Sequence, residues 1–264
     1  MSRPSTAGDG PVKALVEFSR SGAARYMSHL DTARALRRSF ARAGIGLALT
    51  EGLRPKVRLS LGLPLPVGAA GREELALAVL APDLKIAGAG PDELAARLSS
   101  AAPEGVAFRR VEEAPSGLRL HPKLALYEWS FSARPEGMAA ALEKFLSAAE
   151  VRVDRSSPKG SRTVDLRRYV VEPEFGEPGE DPGERPRLRF GIRHLEDGAA
   201  RPREFLETLL VLAVAGTGGT SAGKAADDQR RPAGAQLERL GVVYDGLAPR
   251  GLAKEWLERD GQRG

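Results

Sequence analysis

The chain contains no cysteine, which removes disulfides, thiolate metal sites, thiolate-held iron–sulfur clusters and cysteine nucleophiles together. Aromatics are scarce, at two tryptophans, four tyrosines and eight phenylalanines in 264 residues. The three histidines, His29, His121 and His194, have no spacing with carboxylates that would make a metal site. No run of eighteen apolar residues offers a membrane span, and the first ten residues lack the apolar stretch of a secretory signal. These absences lead to the expectation of a cytoplasmic protein that touches no membrane. There is also no phosphate-binding glycine motif, nucleophile elbow or zinc-protease motif.

What is present is an ordinary globular composition, 42% hydrophobic and 28% charged, long enough for two small domains with separate cores. The net charge is +5, and its distribution is uneven. From Lys13 to Gly62 ten basic residues face only Glu17, Asp31 and Glu51, a surplus of +7 that leaves the rest of the chain at −2. A concentrated surplus of this kind suits a polyanionic partner better than the net charge alone suggests.

The pattern of apolar residues predicts an α+β fold with two ferredoxin-like halves, each an antiparallel sheet with helices on one face. Val12 to Phe18 alternates as a strand. Ser28 is a helix N-cap with Asp31 three residues on, so a helix should run from about His29 to Ala43 and stop at Gly44. Further strands fit Val57–Leu61, Glu74–Leu80 and Val106–Val111, with a helix from Pro91. The plan restarts with a strand over Leu124–Ser132, a helix through Met138 and Phe145, strands over Val164–Val170 and Leu188–His194, and a helix from Pro202. Residues 1–11 read as a disordered lead, 12–115 and 122–212 as the halves, 172–186 as a solvated loop, and 213–264 as a flexible linker and tail with Leu252 and Trp256 at helical spacing.

Projection of the first helix places Leu30, Ala33, Leu36, Phe40 and Ala41 on the core side and Arg34, Arg38 and Arg42 in an i, i+4, i+8 stripe. Arg37 projects near Leu30 and Ala41 and should snorkel out or meet a carboxylate. Arg54, Lys56 and Arg58 share one side of the second strand, opposite Val57, Leu59 and Leu61, so they would lie on a sheet face left open by the helices. Arg187, Arg189 and Arg193 repeat that alternation. Tyr127, Trp129 and Phe131 also share a side, where they are either core or a base-stacking platform. His29, at the first turn of a helix near these cations, is either a local packing residue or an acid or base for RNA cleavage.

The stretch Arg25-Tyr26-Met27-Ser28-His29-Leu30-Asp31 with Arg34, Arg38, Arg42 and Gly44, then Gly52, Pro55, Lys56, Pro64, Leu65 and Gly68, resembles the signature of the bacterial radical SAM-linked proteins. Lys159-Gly160 and Asp165-Leu166-Arg167 resemble its second-half signature, and Arg201-Pro202 its final helix start. The likeness spans Val12 to Leu212. It departs at Leu53 and Arg54, where the family has an aromatic and an asparagine, and at Arg37, where an acidic residue is common. The resemblance implies an accessory to a cobalamin-type radical SAM enzyme. The iron–sulfur cluster, SAM and cobalamin would then belong to the partner, since this chain has no thiolate to hold a cluster.

Together these readings predict a non-catalytic substrate-presenting protein that works with a radical SAM enzyme and binds RNA, such as a tRNA or rRNA. Arg25, Arg34, Arg38, Arg42, Arg54, Lys56 and Arg58 would supply the phosphate contacts. The alternatives are a metal-independent RNA endonuclease of the same fold using His29, and a protein-only adaptor. No cofactor or metal is expected in the chain itself, and its oligomeric state is open.

Overall fold

The structure is a computed structural model and describes residues 12–81, 90–158, 160–176, 185–215 and 235–261. The chain divides into two compact units, Met1–Pro122 with Tyr244–Gly251, and Lys123–Val243 with Leu252–Gly264. Both are α+β. The expected lead, the stretch 216–234 and the middle of the loop, 177–184, lie outside the described residues.

In the first unit the elements run β1 (Lys13–Arg20), α1 (His29–Arg42), β2 (Leu59–Leu61), β3 (Ala70–Val79), α2 (Pro91–Ser100) and β4 (Val106–Glu113). The strands pair antiparallel in the order β4-β1-β3-β2, which is the ferredoxin-like order. Alternation explains the layers. Ala14, Val16 and Phe18 of β1, Ala76 and Ala78 of β3, and Phe108 of β4 pack against Leu36 and Phe40 of α1 and Leu94 and Leu98 of α2. Phe40 meets Phe108 edge to face at 6.1 Å.

Two expectations change here. The buried side of α1 consists of Thr32, Ala35, Leu36, Ser39 and Phe40, whereas Leu30 is 67% exposed and Ala41 is also exposed. The helix is rotated from its apolar projection because its buried hydroxyls have backbone partners. Thr32 Oγ1 donates to the Ser28 carbonyl at 2.9 Å and Ser39 Oγ to the Ala35 carbonyl at 3.0 Å, so neither is left unsatisfied by burial. Arg37 consequently lies in the open and needs no buried carboxylate. The sheet face away from the helices is not bare either: Leu15, Leu75 and Leu77 are buried there. Lys13, on the same side of β1, donates from Nζ to the carbonyl of Leu118, so the chain after β4 returns to this face.

The second unit contains β5 (Pro122–Ser130), α3 (Met138–Ser147), β6 (Arg152–Ser157), β7 (Gly160–Asp165), β8 (Val170–Gly176), β9 (Arg187–Arg193), α4 (Pro202–Ala215), β10 (Gln236–Tyr244) and α5 (Gly251–Gly261). Its sheet order is β10-β5-β9-β8, with β6 and β7 forming a separate hairpin. Without that hairpin the strand order is again 4-1-3-2, so the architectural repeat read from the sequence is real. The last strand was not foreseen. β10 lies inside the stretch read as linker and tail, with Leu237, Leu240 and Val242 buried. The loop expected from residue 172 also begins later, because 172–176 continue β8 beyond a register shift between Val171 and Glu174. Glu172 there has φ 42°. The strand expected over Val164–Val170 is split by a short 3-10 turn at Leu166–Arg168.

Tyr127, Trp129 and Phe131 belong to the core. Trp129 is 1% exposed, Tyr127 stacks on Phe190 at 5.7 Å, and Phe131 lies against Phe175. They offer no platform to bases. Trp256 of α5 packs with Leu126, Leu240 and Ala253. Among the described residues no helix is long and apolar enough to cross a membrane.

Candidate nucleic-acid interface

The start of α1 is fixed by a reciprocal cap. Ser28 Oγ accepts from the Asp31 backbone N–H at 3.1 Å and donates to Asp31 Oδ2 at 2.7 Å. These Ser28 bonds, helped by the charge of Arg34, hold the Asp31 carboxyl below its ordinary range. Arg34 reaches Asp31 at 3.2 Å with both side chains largely exposed, an ion pair of little strength that leaves the guanidinium available to other anions. Ser28 and Asp31 are thus explained by folding. Arg34, Arg38 and Arg42 follow on the exposed side, with Arg37 beside them. Four-residue steps along a helix rise by about 6 Å, so the stripe runs the length of α1.

The second group of cations lies on a hairpin arm and not on the open sheet face. Ala48 N–H donates to the Val79 carbonyl, Arg58 N–H to that of Ala48, and Thr50 N–H to that of Lys56, which bonds back to Thr50 Oγ1 at 2.9 Å. Leu49 and Val57 are bridge partners. The turn joining the two sides includes Gly52, at φ 112°, and Pro55, and only glycine tolerates such a backbone. Arg54, Lys56 and Arg58 are exposed, as is Leu53 at the turn. β2 is only three residues long, so just Arg58 adjoins it and Arg54 and Lys56 stand farther out. The alternation itself holds, since Leu59 and Leu61 face the core. α1 packs beside β2 and α2 beside β4. The arm leads into β2, so the helix that carries the arginine stripe and the basic arm both lie on the β2 side of this unit.

His29 is exposed at the mouth of a small cleft lined also by Arg20, Thr32, Leu61, Leu63 and Glu74. Arg20 is 2% exposed and donates from Nη1 to the Met27 carbonyl at 3.0 Å and to Thr32 Oγ1 at 2.6 Å, tying β1 to the start of α1. The cleft joins the segment around Ser28 to the one around Pro64, which are distant in sequence. A methyl group on Gly62 would overlap the Tyr244 hydroxyl and stand 3.1 Å from the Leu75 carbonyl oxygen, and that hydroxyl accepts from Leu63 N–H at 3.0 Å. Gly62→Ala should therefore destabilise the chain by about 1–3 kcal/mol. Denaturant unfolding checks this, and adding Tyr244→Phe should recover part of the loss by removing the overlapped oxygen.

Tyr26 is the residue that the sequence reading passed over. It is 59% exposed, its ring lies under the Arg25 guanidinium at 4.8 Å, and Arg25 Nη2 donates to its hydroxyl at 2.6 Å. Arg25 is thereby engaged with Tyr26 rather than set in the stripe.

The second-half motif residues support the fold locally. Gly160 has φ 121° where the β6–β7 hairpin turns. Asp165 Oδ1 accepts from Val151 N–H at 2.8 Å and Arg167 N–H at 3.1 Å, which explains the break in the expected strand. Arg167 donates from Nε to the Ala148 carbonyl at 3.2 Å, its guanidinium 5.2 Å from the Phe145 ring centre. Lys159 lies outside the described residues.

In the basic alternation of β9, Arg189 is offset by acids. Arg189 donates from Nε to Glu128 at 2.6 Å and has Glu174 as its partner in register on the other side, so its charge is locally compensated. Among the described residues no three histidine or carboxylate side chains cluster as a metal site.

His194 is held below its ordinary range by burial, with the charge of Arg239 adding to the effect. Among the described residues its buried Nε2 has no hydrogen-bond partner. The unfolded chain takes up the proton near pH 6.5 while the folded one resists it. The stability tied to His194 is therefore full above about pH 6.5 and lost as pH falls from there toward the lower folded value. Thermal unfolding should show a drop between about pH 7.5 and 5.5 that is smaller in His194→Gln. Equal drops would show that His194 has no part in it.

No curated protein matches the chain. A family model described as "Uncharacterized protein conserved in bacteria (DUF2344)" matches residues 13–197, from β1 through β9 and so across the cap, the stripe, the arm and the second-half motif. The chain belongs to this family of uncharacterized proteins conserved in bacteria.

Proposed function

We propose that the chain is a non-catalytic, cytoplasmic accessory protein that presents an RNA to a separate cobalamin-type radical SAM enzyme. The observation that carries the RNA part is the shared edge of the first unit, where Arg34, Arg38 and Arg42 on α1 and Arg54, Lys56 and Arg58 on the arm are all exposed. Phosphates are the natural counterpart of such an edge, because each contact releases condensed counterions and adds affinity without requiring a base sequence. The partner part rests on the resemblance of the Ser28–Asp31 and Gly52–Gly68 segments to radical SAM-linked proteins. In this division of labour the partner supplies the cluster, SAM and cobalamin. The present chain orients the substrate.

The test is co-purification of the tagged full chain from bacterial cells that also produce the radical SAM enzyme, with and without ribonuclease. RNA in the untreated eluate and the enzyme in both eluates are expected. An eluate with the enzyme but no RNA would replace this reading by the protein-only adaptor, and one with neither would remove both parts.

A further inference from the structure

We infer that Tyr26 is a stacking platform for an unpaired base, so that the RNA on the basic edge is single-stranded where it passes the start of α1. This deepens the RNA reading above and rests on it. Among the described residues Tyr26 is the only exposed aromatic, the others lying in or against the cores. Its exposure is not that of a loose side chain. The Arg25 guanidinium lies over one face of the ring at 4.8 Å and donates to its hydroxyl, while the Arg25 carbonyl accepts from Gly68 N–H at 2.8 Å and anchors the backbone. Gly68 has φ 87°, and a Cβ there would come 3.8 Å from the Tyr26 ring, so the loop fits against the side chain. The result is a ring held in place before any ligand arrives, which lowers the ordering cost of binding.

A base is the ligand that matches this arrangement. Stacking needs a flat partner and is tolerant of its identity, and a neighbouring guanidinium adds a cation–π contribution of its own. Tyr26 also lies two residues before the Ser28 cap, so a strand whose base rests on the ring has the arginine stripe of α1 ahead of it for its phosphates. A duplex keeps its bases stacked on one another and offers the ring no free face, whereas single-stranded RNA is recognised by splaying bases onto aromatic side chains.

The experiment is a fluorescence anisotropy titration of the full chain with labelled oligouridine, free or annealed to its complement, for wild type, Tyr26→Ala and Tyr26→Phe. The free strand should bind more tightly than the duplex. Tyr26→Ala should lower free-strand affinity by about five- to a hundredfold with an unchanged thermal midpoint, and Tyr26→Phe should retain most of it. Free-strand and duplex affinities that are equal, or an unaffected Tyr26→Ala, would overturn the stacking role while leaving RNA binding intact. Absence of binding to either form by wild type would overturn the RNA reading itself, and the stacking role with it.

Discussion

A triple variant of the full chain, Arg34→Glu, Arg38→Glu and Arg42→Glu, is expected to bind RNA more than a hundredfold more weakly than wild type at moderate salt. At about 0.1 M salt each phosphate contact on a single strand contributes about 0.7 of a decade of affinity through counterion release, so losing three costs about a hundredfold before any repulsion by the new carboxylates. The salt dependence separates lost contacts from general disturbance. Six phosphate contacts, from the stripe and the arm, give a log–log slope of about −4 for a single strand, or a several-hundredfold loss of affinity between about 50 and 200 mM salt. With only Arg54, Lys56 and Arg58 left the slope should fall to about −2. All three substituted residues are exposed and the ion pair of Arg34 with Asp31 is weak. The thermal midpoint should hardly move. A variant that keeps wild-type affinity and slope would remove α1 from the interface.

The second large effect is on stability. Trp129→Ala should cost about 3–5 kcal/mol, because Trp129 is among the largest fully buried side chains of the second unit and the sheet and helices around it can close only part of the space. Denaturant unfolding measures this. Trp129→Phe, which leaves a smaller void, should cost less. At temperatures where the variant stays folded its RNA affinity should equal that of wild type, since Trp129 has no face open to a base. A loss of RNA affinity without a loss of stability would instead place Trp129 at the interface.

The contrast between Trp129 and Tyr26 shows what the sequence could reveal. Alternation along a strand says that Tyr127, Trp129 and Phe131 share a side, but it is silent on whether that side faces helices or water, because an antiparallel strand has one face of each kind. The order of elements was legible because the strand over Val12–Phe18, the Ser28–Asp31 cap and Pro91 are local signals that need no tertiary contact. The closing strand β10 was not, since it follows a long Gly-, Ala- and Ser-rich stretch and its burial depends on pairing with β5, more than a hundred residues earlier. The face of α1 was misjudged for a related reason. Thr32 and Ser39 count as polar in a projection, yet bonds to Ser28, Ala35 and Arg20 make them suitable for the interior.

At the candidate site the cations were legible and their setting was not. Arg54, Lys56 and Arg58 alternate with apolar residues whether they lie on a sheet or an arm. Only the hydrogen bonds of residues 48–50 with 56–58 show that it is an arm. Arg25 looked like one more cation of the patch until its contacts with Tyr26 gave it a different task. His29 retains its exposed position at the cleft mouth, between two segments whose serine, aspartate and glycine residues now have folding roles.

The most direct measurement is a filter-binding titration of the intact chain with bulk tRNA at about 50 mM and then about 200 mM salt. Binding at the lower concentration that weakens by at least a hundredfold at the higher one is the expected result. No detectable binding at the lower concentration would contradict RNA presentation by the α1 and hairpin edge.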